Sequence, residues 1–257
     1  MSQHSMTLKM KNYIYILITL LVFSCDSEDA NDCFQKTGKI VQEEVMLTSF
    51  EKILVHRDIE LILKQGATFQ VVIETGENLL NDVEAKVVAN ELQLTDTNTC
   101  NYVRDYGITK VYVTAPNITE IRSSTQYDIS SDGVLNYNSL KLFSDDFTTP
   151  ENFTVGDFRL QVNTQSLRIV GNNISSFYIS GVTQDLYVGF FSGTGRFEGA
   201  DLIAQDVDIY HRGTNDILVN PQASITGEIR STGDVIAYHQ PVLVTVEEFY
   251  NGRLIFE

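Results

Sequence analysis

The chain has 257 residues, no tryptophan, four prolines and a formal net charge of −16. The first 24 residues hold two lysines and no acid, so the remainder carries 16 basic against 34 acidic residues, 16 − 34 = −18. So acidic a surface repels phosphate backbones, which argues against a nucleic acid partner. Roughly 230 residues after residue 24 suffice for one all-β domain or two small ones, with a buried core.

The N-terminus has the features of an export signal. Lys11 precedes an apolar run, 13–23, that is too short for a lasting membrane span. The run ends in Leu21-Val22-Phe23-Ser24-Cys25, which resembles a bacterial lipobox. Acyl chains on Cys25 would anchor the protein without a transmembrane helix. We therefore predict a lipoprotein signal peptide over residues 1–24 and lipidation at Cys25; an ordinary signal peptide with a chance cysteine is the alternative.

An acidic segment and two further cysteines follow. Residues 26–32 are polar and acidic, and we predict a flexible tether over residues 25–38. The tract also resembles the acidic signals that send lipoproteins of Bacteroidetes-type bacteria to the cell surface. Cys33 and Cys100 remain once Cys25 is assigned to lipid, and disulfides persist in exported chains. A Cys33–Cys100 disulfide is the simplest expectation, since neither residue has the neighbours of a metal site.

Short apolar strands separated by polar corners fill the rest of the chain. Three equivalent corners are Ser192-Gly193-Thr194-Gly195, Arg212-Gly213-Thr214-Asn215 and Ser231-Thr232-Gly233-Asp234. A period of about 20 residues, without helical periodicity, predicts the coils of an all-β solenoid. We expect the coils over 117–241.

Two flanking regions depart from this period. The strands of 39–116 are irregularly spaced, so we expect them to form an N-terminal β-strand cap on one end of the solenoid. Residues 242–257 contain an Asn251-Gly252 turn and predict a C-terminal strand or hairpin cap.

Several short motifs occur in the order of a known family. They are Lys64-Gln65-Gly66, Pro116-Asn117-Ile118, Ala200-Asp201-Leu202-Ile203-Ala204 and Tyr238-His239-Gln240-Pro241, with the three corners in the positions of a repeated Ser-Gly-Ser-Gly. Over residues 50–257 the chain resembles the "putative auto-transporter adhesin, head GIN domain" proteins, a domain of unknown function common in Bacteroidetes. The resemblance implies a single-stranded right-handed parallel β-helix on the cell envelope and supplies no catalytic residues. Earlier corners lack the glycines, so this is a divergent member.

Aspartates are the candidates for catalysis. Asp216 and Asp234 follow equivalent corners and would stack about 4.8 Å apart, close to the separation of a retaining carboxylate pair. Aspartate beside such a corner also commonly accepts hydrogen bonds from turn amides, which is the favoured role. A polysaccharide lyase or hydrolase with stacked carboxylates is therefore the alternative function. Further candidate acids are Asp145, Asp146, Asp157, Asp206 and Asp208.

Other chemistry has no support in the sequence. No calcium nonapeptide repeat, P-loop, dinucleotide fingerprint or Ser-His-Asp order is present. His56, His211 and His239 are far apart in sequence, which favours surface or turn roles. We predict a non-enzyme with no catalytic residues, no metal site and no cofactor.

Three tyrosines are candidates for surface contact. Tyr178, Tyr187 and Tyr210 each lie beside an inward strand position, so alternation turns them outward. Such a ladder could stack on sugar rings or receive a protein, although strand-compatible surface residues are the alternative. The sequence thus predicts an outer-membrane lipoprotein at the cell surface or periplasmic face. Its partners would be the membrane, through the lipid, and glycans or envelope or host proteins.

Overall fold

Alternating apolar and polar residues form seventeen strands in the computed structural model, which describes residues 32–98, 100–147 and 152–257. One 3₁₀ turn, Leu80–Asp82, interrupts them. The strands are β1 Ile40–Val45, β2 Lys52–Val55, β3 Glu60–Gln65, β4 Gln70–Gly76, β5 Val83–Val88, β6 Glu91–Asp96, β7 Lys110–Ala115, β8 Glu120–Ser123, β9 Ile129–Leu135, β10 Ser139–Ser144, β11 Phe158–Gly171, β12 Ser176–Phe190, β13 Arg196–His211, β14 Ile217–Ile229, β15 Val235–Ala237, β16 Leu243–Glu248 and β17 Leu254–Phe256.

Two ladders of parallel strands organise the fold. The first ladder runs β6, β2, β8 and β10, then through the second halves of β11 to β14, and ends at β16. The second runs β7, β3 and β9, then through the first halves of β11 to β14, and ends at β15 and β17. The four long strands take part in both ladders and so join them.

The expected single-stranded right-handed parallel β-helix with a separate N-terminal cap is wrong. All described strands belong to one nearly closed, barrel-like sheet, in which the antiparallel pairs β1–β4, β4–β7 and β5–β6 accompany the parallel ones. The N-terminal strands continue the ladders instead of covering their end, because β2 and β3 pair in parallel with β8 and β9. An alternating strand buries the same face whether it pairs in parallel or antiparallel. The sequence pattern could therefore not reveal that the sheet contains both kinds of pair.

The core lies between the two ladders and is built from the inward residues of each strand. Phe158 and Phe177 are fully buried and stack with ring centroids 4.8 Å apart, in successive strands of the second ladder. Thr164 and Thr183 are also buried, and Thr164 donates a hydrogen bond to the Thr183 hydroxyl at 2.9 Å. Residues in equivalent positions of successive strands therefore pack on one another, which holds the register.

The two ends of the sheet differ. Near the N-terminal end, Cys33 and Cys100 form a disulfide with an S–S distance of 2.10 Å. At the other end, β16 pairs with β14 and β17 with β15, so 242–257 makes parallel strands rather than a hairpin. Cys25 lies outside the described residues. Among those residues no helix has the length and apolarity needed to cross a membrane.

Candidate functional site

The outer face of the first ladder carries three rows of side chains in register, on the second halves of β11 to β14. Neighbouring members of a row stand about 4.8 Å apart, the spacing of hydrogen-bonded strands. The first row is Ser166, Asp185, Asp206 and Ser224; the second is Arg168, Tyr187, Asp208 and Thr226; the third is Val170, Gly189, Tyr210 and Glu228.

A groove of about 230 Å³ follows the first two rows, and we refer to it as the row groove. Its walls combine carboxylates, hydroxyls, one guanidinium and one aromatic ring. The polar and aromatic lining residues are Ser166, Arg168, Asp185, Tyr187, Asp206, Asp208, Ser224 and Thr226.

Tyr187 is fixed in the groove from both sides. The guanidinium carbon of Arg168 lies 3.9 Å from the centre of the Tyr187 ring, a cation–π contact. The ring also leans over Gly189, where a Cβ atom would come within 2.7 Å of Tyr187 Cε1 and Oη. Burial raises the pKa of the Tyr187 hydroxyl, with Arg168 opposing and Asp208 reinforcing the rise. The ring is therefore held as a neutral, oriented surface.

The carboxylates of the groove are partly engaged. Asp206 Oδ1 accepts a hydrogen bond from Ser224 Oγ at 2.6 Å, and Oδ2 accepts one from Gln184 Nε2 at 3.2 Å. Asp185 and Asp208 are exposed side chains of the same two rows. Each carboxylate oxygen has room for more than one donor, so the row can accept hydrogen bonds from ligand hydroxyls.

An aromatic margin continues the groove toward the polar corners. Phe191 lies 4.9 Å from the Tyr210 ring and 5.4 Å from the Phe147 ring, the latter edge-on. Phe147 is exposed, and Phe191 and Tyr210 are half-buried. Together with Tyr187 these rings give the face an apolar edge beside its polar rows.

The three tyrosines expected to form one ladder are divided between two faces. Tyr187 and Tyr210 share the first ladder, because Gly189 pairs with Tyr210. Tyr178 lies on the second ladder, where the Arg159 guanidinium carbon is 4.1 Å from its ring centre. Sequence reasoning missed Arg168 and Asp185, although their recurrence about 20 residues before Tyr187 and Asp206 is the signal that could have found them.

The aspartates considered for catalysis bind the backbone of the next corner. Asp216 Oδ1 accepts the Asp234 N–H at 3.2 Å, and Asp234 Oδ1 accepts the Arg253 N–H at 2.8 Å. The Arg196 guanidinium donates to Asp216 Oδ2 at 3.1 Å. These contacts are those of turn-stabilising carboxylates.

Two of the further candidate acids, Asp157 and Asp145, are also held by contacts within the fold. Asp157 Oδ1 accepts the Ser176 N–H at 2.9 Å, and Asp145 is buried against the Arg122 guanidinium at 2.8 Å. Within the described part of the chain, no three His, Cys, Asp or Glu side chains are grouped so as to hold a metal ion.

His211, expected at a surface or turn, is fully buried at the end of β13. Its Nδ1 accepts the Gly213 N–H at 3.3 Å, and its ring packs edge-on against Phe190. Burial lowers the pKa of His211, against the opposing effects of the Asn215 backbone, Asp216 and Asp234. The imidazole is therefore neutral and part of the core.

A family model described as "putative auto-transporter adhesin, head GIN domain" matches residues 49–241. No curated protein matches the chain.

Several solved structures have a fold similar to that of this chain. A putative adhesin from Bacteroides fragilis has 18% identity and a TM-score of 0.76, covering 86% of this chain and 99% of its own. A putative lipid binding protein from Parabacteroides distasonis has 11% identity and a TM-score of 0.59, covering 85% and 97%. A putative adhesin from Parabacteroides merdae has 15% identity and a TM-score of 0.58, covering 86% and 98%. At these identities the likeness establishes the fold alone.

Proposed function

Since the chain belongs to the family described as "putative auto-transporter adhesin, head GIN domain", we propose that it is a lipid-anchored envelope adhesin that binds neutral glycans. The binding surface is the row groove with its aromatic margin. The protein acts as a non-catalytic contact surface, attached to the outer membrane through Cys25 and facing the cell exterior.

The observation that carries the proposal is the fixed Tyr187 ring in the middle of in-register polar rows. A sugar ring has apolar C–H faces that stack on an aromatic ring and a rim of hydroxyls that hydrogen-bond to carboxylates. Asp185, Asp206 and Asp208 repeat at the strand spacing, so successive sugars of one chain can meet successive acceptors.

The charge of the groove selects the class of glycan. Three carboxylates face one guanidinium, and that guanidinium is already stacked on Tyr187. Uronate, sulfate or phosphate groups would be repelled both here and by the acidic surface as a whole. Neutral hexose or N-acetylhexosamine chains fit this surface better.

Binding of neutral oligosaccharides to the mature protein tests the proposal. Tyr187→Ala is expected to weaken binding about tenfold, because it removes the stacking surface. Tyr178→Ala is the matched control, since Tyr178 is also an outward tyrosine under an arginine but lies on the other ladder. Equal losses in the two variants, or no saturable binding across a neutral glycan array, would overturn the assignment of the groove.

A third variant separates ring position from ring removal. Gly189→Ala keeps Tyr187 but places a Cβ atom against the tyrosine ring. The ring must then move from its present position. We expect weakened glycan binding with the free energy of unfolding little changed, because the neighbour that yields is the end of a side chain.

The anchoring and location need their own test. Cys25→Ser should release the protein from the membrane fraction, and protease added to intact cells should remove the acylated protein while a periplasmic control is spared. Protection of the acylated protein would place the domain in the periplasm and contradict an adhesive role.

A further inference from the structure

We propose that the chain has a second, non-covalent membrane contact: an exposed aromatic loop that inserts into the headgroup region of a zwitterionic bilayer beside the lipid anchor. The aromatic loop consists of Phe34, Tyr102, Val103 and Tyr106. The inference rests on the proposed anchoring at Cys25 but is independent of glycan binding.

The aromatic loop exposes apolar area that the fold does not use. Tyr102 and Tyr106 are each 75% exposed, and Phe34 and Val103 are each 52% exposed. The Phe34 and Tyr102 ring centroids lie 5.8 Å apart, so the two segments of the loop meet at their exposed rings, and the Tyr106 hydroxyl donates to the Asn101 carbonyl at 3.3 Å. Tyrosine and phenylalanine are the side chains that favour the boundary between water and lipid.

The cluster is held in place by several specific contacts. The Cys33–Cys100 disulfide joins its two segments, and the Tyr102 N–H donates to the Cys33 carbonyl at 2.9 Å. The Arg104 guanidinium donates to the carbonyl oxygens of Asp32, Gln35 and Cys100 at 2.6, 3.1 and 3.1 Å. A preorganised cluster loses little conformational entropy when it docks.

The position of the aromatic loop in the chain indicates that its partner is the membrane. Asp32 is 32 − 25 = 7 residues after the proposed lipidated Cys25. At the reach of a fully extended chain, about 3.5 Å per residue, the start of the cluster lies within about 25 Å of the acylated residue. Phe34 follows Asp32 by two residues, so the aromatic loop lies at the beginning of the described chain, next to the segment that carries Cys25.

The charges around the aromatic loop select the type of bilayer. Asp105 lies within the loop and residues 26–32 hold four further acids, which outnumber the exposed Lys36 and Lys39, and Arg104 is engaged by carbonyl oxygens. An anionic surface would be repelled, so insertion must be driven by apolar burial. The fitting partner is therefore a zwitterionic phospholipid surface.

The absence of tryptophan from the chain allows a direct test. Tyr102→Trp places one fluorophore in the aromatic loop, and Tyr250→Trp places a control fluorophore at an exposed site, 60% accessible, between β16 and β17. Both are made in the Cys25→Ser mature chain and mixed with vesicles of brominated phosphatidylcholine. We expect bromine to quench the fluorophore at position 102 and not that at 250, with less quenching when phosphatidylglycerol is added.

A flotation assay with the same vesicles gives the size of the effect. Tyr102→Ser combined with Tyr106→Ser should lower partitioning about tenfold, whereas Phe249→Ser combined with Tyr250→Ser should not. No quenching at position 102, equal quenching at both positions, or stronger binding to anionic vesicles would overturn the proposal. Neither assay involves the row groove or an acyl chain, so failure here leaves glycan binding and anchoring as separate questions.

Discussion

The long-strand region, β11 to β14, and the N-terminal region, β1 to β7, achieve order by different means. The long strands have 13 to 16 residues and pair in parallel, so equivalent residues pack on one another from strand to strand. The N-terminal strands have four to seven residues, include antiparallel pairs and are joined to residues 33–38 by a disulfide and an arginine. Repeated packing between equivalent residues stabilises the long-strand region, whereas a few specific contacts stabilise the N-terminal region.

The difference bears on function. Because repeated inward residues hold the long strands, their outward positions are free to carry the row groove. In the N-terminal region specific contacts fix the surface, and the aromatic loop is held by the Cys33–Cys100 disulfide and by hydrogen bonds of Arg104. Substitutions that block close strand packing should therefore damage the long-strand region most, and loss of a crosslink should damage the other.

The largest expected effect comes from a glycine pair. Gly227, in β14, has a φ of 126° and a Cβ there would lie 1.9 Å from the Ile209 carbonyl oxygen; Gly133, in β9, has a φ of 89° with nothing within 4 Å. Gly227→Ala should lower the free energy of unfolding by about 3 kcal/mol or more, or prevent folding, because strands must separate. Gly133→Ala should cost only about 1–2 kcal/mol, the strain of a left-handed alanine. Similar losses in urea denaturation would contradict the role given to close strand packing.

The next effect concerns the crosslink. Cys33→Ser with Cys100→Ser should lower the free energy of unfolding by about 2–4 kcal/mol, because the bond constrains the unfolded chain. Amide hydrogen exchange should rise in residues 33–45 and 100–109 and stay unchanged in β12 and β13. Faster exchange throughout both regions would show that the disulfide stabilises the long strands as well.

The smallest effect is a pH dependence with one histidine in each region. Burial lowers the pKa of His211, and burial also lowers that of His56, with Glu91 opposing and Lys86 reinforcing. Below about pH 6.5 the unfolded chain gains protons that the folded chain does not, so stability falls as the pH falls toward each lowered pKa. His211→Leu and His56→Gln should each flatten the decline in melting temperature between pH 7 and 5. An unchanged slope in His211→Leu would contradict a neutral buried imidazole.

Sequence patterns anticipated the strands but not their pairing. The alternation through Val188 and Phe190, and the corner at Gly193, appear in the structure as expected. Asn163-Thr164-Gln165-Ser166 has the polar composition of a corner but lies inside β11, where the buried Thr164 hydrogen-bonds to Thr183 of the next strand. A polar inward residue looks the same in sequence as a corner residue.

The pairing of strands that are far apart in sequence could not be predicted, for a related reason. Ile53 in β2 pairs with Ile121 in β8, and the alternation of both strands fits a cap or a continuous ladder equally well. The assignment of the site tyrosines to faces was ambiguous for the same reason. Tyr178 and Tyr187 are nine residues apart in one strand, and only the bend of β12 between its two halves assigns them to different faces.

We propose that glycan binds the row groove and not the rest of the surface. Hydroxyl-radical footprinting by mass spectrometry tests this directly, because the solvent-accessible tyrosines of both ladders report in one experiment, whereas Tyr137 is buried. With saturating neutral oligosaccharide, we expect lower oxidation of Tyr187 and Tyr210 and unchanged oxidation of Tyr178, Tyr102 and Tyr250. Protection of Tyr178 would contradict binding at the row groove. Glycan binding that protects neither Tyr187 nor Tyr210 would contradict it as well.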